Sequence, residues 1–216
     1  MATILFDFDS TLISIESLDF LLASCLDNQP DEIQRIEAIT QQGMNGEIPF
    51  HRALQQRLDL CAPNRTQVDA LAQTISQKLT TGMPEFITAL QQQGHEIWII
   101  SGGLKPLILP VATVLNIPHD RVHAVDLCWD QTGAFTGIDM NNPFAHSKLD
   151  GARLLTQHWH TPTIIIGDGY TDYQLYAAGI ADQFIPYTEH AQRAKILATH
   201  APVARNVAEL QQKISL

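Results

Sequence analysis

Apolar residues recur along this chain with two periods, and the places where the period changes outline its organisation. Residues 3–8 form a short apolar, β-favouring run, the pattern of a strand buried on both faces. Across residues 16–26 the spacing lengthens, and Leu18, Leu21, Leu22 and Leu26 fall on one helical stripe that Pro30 ends. Residues 32–75 stay helical in pattern. Ile33, Ile36 and Ile39 lead into a Gly-rich turn at Gly43-Met44-Asn45-Gly46, followed by a helix over 50–58 and, after Pro63, another over 66–79. Beyond Gly82-Met83-Pro84 strands and helices alternate. Pro84 suits the first turn of a helix that runs to Gln93 and stops at Gly94. The spacing then predicts a strand over 97–100, a helix over 105–115 despite Pro106 and Pro110, and a hairpin over 122–138 turning at Asp130-Gln131-Thr132-Gly133. A helix over 146–158, a β-branched strand over 163–166, a helix over 172–178 and a strand over 183–185 complete the pattern.

Alternating strands and helices imply a parallel sheet covered on both faces. The expected class is therefore α/β: a Rossmann-like, doubly wound parallel sheet, with a helical insertion after the first strand and a small β-hairpin insertion. The α/β core is expected to be discontinuous, over 1–13 and 78–216, with the helical insertion over 14–77. The 216 residues carry a net charge of -10, with 45% hydrophobic and 17% charged residues, an ordinary globular balance. That negative balance predicts no nucleic-acid and no membrane partner, yet it is compatible with a small anionic substrate where a metal and a few cations invert the local field. Cys25, Cys61 and Cys128 are odd in number and widely spaced, which excludes a disulfide framework or a CxxC metal site. The first residues lack the basic segment of a signal peptide, and no apolar run is long enough to span a bilayer, so a cytoplasmic location is expected. Either a monomer or a homodimer fits these features.

In open parallel sheets ligands bind at the carboxyl ends of the strands. Three predicted strands end in suggestive groups: Asp7-Phe8-Asp9-Ser10-Thr11, Ser101-Gly102-Gly103, and Gly167-Asp168-Gly169-Tyr170-Thr171-Asp172. Lys148 opens a helix between the last two. Two carboxylates one residue apart repel each other unless a cation lies between them. A hard, oxygen-seeking ion such as magnesium answers that need, with Asp168 completing the site from a neighbouring strand. Taken alone, Asp9-Ser10-Thr11 reads more readily as a helix cap; the other three segments in this order are what point to chemistry.

Together Phe-Asp-Phe-Asp-Ser-Thr-Leu, Ile-Ile-Ser-Gly-Gly, Lys148 and Ile-Ile-Gly-Asp-Gly-Tyr-Thr-Asp resemble the four motifs of the haloacid-dehalogenase superfamily, and within it the phosphoserine phosphatase branch. The likeness covers nearly the whole chain. It implies that Asp7 attacks phosphorus and becomes an aspartyl phosphate, while Asp9 protonates the leaving oxygen and then deprotonates the hydrolytic water. Mg2+ would be held by Asp7 and Asp168 and by the backbone carbonyl of Asp9, with Asp172 supporting the site. Ser101, the backbone N–H of Gly102, Gly103 and Lys148 would hold the phosphoryl oxygens, and Thr171 would donate nearby. The helical insertion would act as a cap whose Glu16 meets the substrate ammonium, Arg57 its carboxylate and Met44 its apolar part.

This sequence departs from the family pattern at Asn45, Tyr170 and Tyr173, of which Tyr170 is bulky and lies beside the phosphate loop. Two other readings compete with phosphoserine hydrolysis. One is a phosphatase or phosphotransferase acting on another small phosphomonoester, against which the pairing of Glu16 with Arg57 speaks. The other is a non-catalytic phosphate-binding module, which would have no need of both Asp7 and Asp9.

Overall fold

The computed structural model describes residues 1–26 and 29–214; residues 27–28, within the expected helical insertion, and 215–216 lie outside the described residues. Strand β1 (Thr3–Phe6) leads into helices α1 (Ser17–Cys25), α2 (Pro30–Met44), α3 (Phe50–Leu60) and α4 (Arg65–Ala72). There follow α5 (Met83–Gln92), β2 (Glu96–Leu104), α6 (Lys105–Val114), β3 (Val122–Val125), β4 (Leu127–Trp129) and β5 (Phe135–Ile138). The chain continues with α7 (Lys148–Arg153), β6 (Thr163–Gly167), α8 (Tyr170–Ala177), β7 (Gln183–Pro186), α9 (Ala194–Leu197) and α10 (Val207–Lys213).

The main sheet is wholly parallel, in the order β3-β2-β1-β6-β7, with Thr3 opposite both Glu96 and Thr163. β1 is the central strand, and all four of its side chains are buried. Ile4 and Phe6 face Phe86 and Ile87 of α5 and Leu107 and Ile108 of α6, whereas Leu5 faces the opposite side with Ala152 of α7 and Leu175 of α8. This is the period of two that a strand dictates, and each such side chain contributes about 1.5–3 kcal/mol on burial. An acid at Leu5 would put an unpaired charge into that layer and break it.

The hairpin expectation needs one correction. Residues 122–125 are not its first arm but the parallel edge strand β3, and the antiparallel pair is β4 with β5. Val122, Ala124 and Val125 are buried, so their apolar character belongs to the sheet edge, and Asp126 separates the two elements. Between Ile100 and Leu104 the register of β2 against β3 shifts, a bulge that falls on Ser101-Gly102-Gly103. The helix expected over 146–158 is shorter, α7 followed by a 3-10 turn at residues 156–158. Helices α9 and α10 had no counterpart in the sequence pattern. Asn206 caps α10 by accepting from the Glu209 amide at 2.8 Å, and Leu210 joins the core beneath α5.

The two connections of the α1–α4 block run side by side. Ser14 N–H donates to Lys78 C=O at 2.8 Å, and Thr80 N–H donates to Leu12 C=O at 2.9 Å. The block thus leaves and re-enters the sheet at one place, directly above the carboxyl end of β1.

Candidate active site

The chain breaks out of β1 at Asp7 and forms one wide turn in which Ile13 N–H donates to Phe8 C=O. Ser10 sits in the left-handed region at φ 52°, an uncommon choice for a residue with a Cβ. That turn directs Asp7 and Asp9 into a cavity whose walls also include Ser101, Gly102, Gly103, Lys148 and Thr171. Glu16, Met44 and Arg57 line it from the α1–α4 block and its entry. All of the expected catalytic and substrate residues except Asp172 therefore line this cavity, and Asp172 lies just beneath it.

The polar side chains are anchored within the protein, and Asp7, Asp9 and Glu16 each take their hydrogen bonds on one carboxylate oxygen. Asp7 accepts through Oδ1 from Phe8 N–H at 2.7 Å and from Lys148 Nζ at 2.9 Å. Asp9 accepts through Oδ1 from Ser17 N–H at 2.7 Å, at the amino end of α1. Its Oδ2 lies against Gly103, where an added Cβ would be 2.8 Å away. Ser101 Oγ accepts from Gly103 N–H at 2.9 Å. Lys148 Nζ also donates to Asp172 Oδ1, and Asp172 Oδ2 accepts from Gly169 N–H at 3.0 Å. Arg57 donates from Nε to Ala53 C=O and from Nη1 to Asp19 and Thr40, which fixes the plane of its guanidinium.

Sequence reasoning missed one residue. Arg193, just before α9, is buried and spreads its fork over three elements. Nε and Nη2 donate to Asp168 Oδ2 at 2.9 Å, Nη2 to Glu16 Oε1 at 2.8 Å, and Nη1 to Gln41 of α2 at 2.8 Å. Glu16 Oε1 also accepts from Ser10 Oγ at 2.8 Å, so both of its anchors fall on the same oxygen. A signal for such a residue existed in the charge count. Asp7, Asp9, Glu16, Asp168 and Asp172 converge on one site, and Lys148 alone cannot balance them.

Asp7, Asp168 and Asp172 each bring a carboxylate oxygen within 4.8 Å of the others. Asp168 is fully buried, and its Oδ1 has no hydrogen-bond partner among the described residues. An orphaned, buried carboxylate oxygen in such company fits a divalent cation. The side chain of Asp9 is not in this triad; Asp172 is, although both of its oxygens already accept hydrogen bonds. Burial, then the neighbouring Glu16, pushes Asp168 well above the usual carboxylate range, with Arg193 opposing. Burial also pushes Asp9 up to about 8, helped by Glu16, so its carboxyl form persists at neutral pH. Burial by itself would lower Lys148, but Asp172 and Asp7 outweigh it and keep the ammonium charged. Such a set can hold a phosphoryl group, present a carboxylate to it and deliver a proton beside it.

Comparison with known proteins agrees with this reading. A family model described as haloacid dehalogenase-like hydrolase matches residues 4–177. The phosphoserine phosphatase of Bos taurus is 35% identical over 194 residues, spanning 88% of this chain and 83% of its own length. That of Homo sapiens is likewise 35% identical over 194 residues, with the same coverage. The crystal structure of a phosphoserine phosphohydrolase-like protein from Francisella tularensis subsp. tularensis SCHU S4 aligns with a TM-score of 0.96 at 42% identity, covering 99% of this chain and all of that one.

Proposed function

Since the chain belongs to the haloacid dehalogenase-like hydrolases, in their phosphoserine phosphatase branch, we propose that it hydrolyses O-phosphoserine to serine and phosphate through an aspartyl phosphate on Asp7. The observation that carries this reading is the cavity itself. Asp7, Asp9, Ser101 and Lys148 line it together with Glu16 and Arg57, which offer an acid and a base. A phosphoester bearing an ammonium and a carboxylate matches all of them at once.

The steps follow from what each group can do. Lys148, Ser101 and the backbone N–H of Gly102 hold the phosphoryl oxygens, while Gly103 N–H anchors Ser101 Oγ and Gly103 gives the phosphate loop its close approach. The Asp7 carboxylate forms a bond to phosphorus as the bond to the serine oxygen breaks. Asp9, protonated before the reaction, gives its proton to that oxygen. Asp9 then takes a proton from water as the water attacks the aspartyl phosphate, and phosphate leaves while Asp7 is regenerated. A divalent ion, in this proposal Mg2+ held by Asp7, Asp168 and the backbone carbonyl of Asp9, would screen the charge between carboxylate and phosphate. Asp172 anchors Lys148. Glu16, with Oε2 left open by its two anchors, receives the substrate ammonium, and Arg57 receives the carboxylate. The α1–α4 block serves as the cap that excludes water, with Met44 and Thr171 on its inner seam.

The test is steady-state kinetics with Mg2+ on phosphoserine, on phosphoethanolamine, which lacks the carboxylate, and on 3-phosphooxypropanoate, which lacks the ammonium. The expected kcat/KM is about a hundredfold or more higher for phosphoserine, because a site built to hydrogen-bond a substrate group discriminates against analogues that lack it. Equal rates across the panel would remove the substrate assignment. Asp7→Asn should have no turnover while keeping the native circular dichroism; appreciable activity in it would remove the nucleophile.

A further inference from the structure

Two departures from the family pattern, Tyr170 and Tyr173, lie against each other at the seam between α8 and the α1–α4 block, with ring centroids 5.8 Å apart. Tyr173 is itself backed edge-on by Phe184 of β7, with centroids 5.8 Å apart. Tyr170 therefore stands on a rigid aromatic base at the first position of α8. On its other face Lys195 of α9 places Nζ 3.5 Å from the ring centroid, a cation–π arrangement.

The Tyr170 ring meets the turn that follows α2. A Cβ built on Gly46 would be 2.5 Å from Tyr170 Cδ1 and 3.1 Å from Lys195 Nζ. Gly46 also has φ +68°, so both the close approach and the backbone require glycine there. One step away, Met44 Sδ would be 3.2 Å from a Cβ on Gly169, in the loop that carries Asp168. The turn that brings Met44 into the cavity is thus seated directly on the metal-site loop, with Tyr170 as the seat. Thr171, adjacent in sequence, lines the cavity, whereas Tyr170 lines only the outer cleft beside it, with Gly46, Glu47 and His51.

We propose that Tyr170, backed by Tyr173 and covered by Lys195, is a positioning residue that holds the Met44–Gly46 turn down on the core and so sets the fraction of protein whose cavity is assembled before substrate arrives. The proposal rests on the reading of this cavity as the phosphoserine site. Apparent affinity falls in proportion to the competent fraction, so loosening the seat raises KM and leaves the chemical step intact. Tyr170 touches none of the reacting atoms, which separates its effect from that of Thr171.

The experiment compares Tyr170→Ala, Tyr170→Phe and Gly46→Ala with the parent chain. Kinetics on phosphoserine are paired with hydrogen exchange of the amides of residues 41–46 in the substrate-free protein. Tyr170→Ala should raise KM about tenfold, the value for a competent fraction cut to a tenth, with kcat within threefold. It should also speed exchange in residues 41–46, with β6 unchanged. Gly46→Ala should act in the same direction by pushing the turn off its seat. Tyr170→Phe keeps the ring and should stay within twofold of the parent in both readouts. Unchanged KM and exchange in Tyr170→Ala would overturn the proposal. So would a fall in kcat at constant KM, or faster exchange throughout the protein. If the parent shows no preference for phosphoserine, the substrate reading fails while the exchange result still decides the role of Tyr170.

Discussion

At the scale of single residues, the site depends on carboxylates such as Asp7, Asp9 and Glu16 that take their hydrogen bonds on one oxygen. Gly103 gives the sharpest case. Its missing Cβ is what lets Asp9 Oδ2 stand where it does, since an added carbon would lie 2.8 Å from that oxygen and Ser101 Oγ 3.3 Å from it. β2 pairs with β3 on either side of Gly103, at Ile100 and at Leu104, so the Asp9 side chain is the part expected to shift. Displacing a catalytic group by about 1 Å costs about a hundredfold in rate. Gly103→Ala is therefore expected to lower kcat by about that factor with little change in melting temperature; kcat within threefold of the parent would show that Asp9 needs no such clearance. Asp7, Asp9, Ser101, Lys148, Asp168 and Asp172 were legible in the sequence because each marks a strand end or a helix start. Arg193 was not. Its partners Gln41 and Glu16 lie 152 and 177 residues away in sequence, and nothing in its own segment signals that it is buried.

Elements were legible in proportion to their length and the cover they receive. β1 and β6 announce themselves as continuous apolar runs because both faces are buried, and α5 has its proline start and glycine stop. β3 was merged with the hairpin because a short edge strand and a hairpin arm have the same local pattern, and only pairing with β2 tells them apart. α9, at four residues, has no room to display a period. What local pattern omits is how elements are joined, and there Arg193 matters most. Its fork links the end of β6 through Asp168, the start of α1 through Glu16 and the last turns of α2 through Gln41. Removing one partner from a buried ionic cluster leaves the others uncompensated, which costs about 3–5 kcal/mol. Arg193→Met should lose stability in that range by urea denaturation. A loss below about 1 kcal/mol would mean that Glu16 and Asp168 take up their protons without strain, so that the fork contributes little to holding the three elements together.

Across the whole molecule, the sequence divides the chain into a discontinuous α/β core and a helical insertion, yet one hydrophobic cluster runs through both. Leu18, Leu22, Leu54 and Val68 of the α1–α4 block belong to the same cluster as Phe86, Ile108 and Leu210 around the sheet. Heat should therefore unfold the chain in one transition rather than two. The same continuity would make a metal bound at this site a global stabiliser. The buried Asp7, Asp168 and Asp172 gather in the folded state alone, with one Asp168 oxygen unpartnered among the described residues, so a divalent ion held there would bind the native chain and not the unfolded one. At a hundredfold excess over its dissociation constant such a ligand adds about 2.7 kcal/mol. For a chain of this size each kcal/mol raises the melting temperature by about 2–4 °C. Saturating Mg2+ should accordingly shift the single transition upward by about 5–10 °C, and EDTA should reverse the shift. Asp168→Asn should abolish it, because the amide offers a weaker oxygen and no charge. A parent protein whose melting curve ignores Mg2+, or an Asp168→Asn variant that keeps the full shift, would place the cation elsewhere than among these three carboxylates.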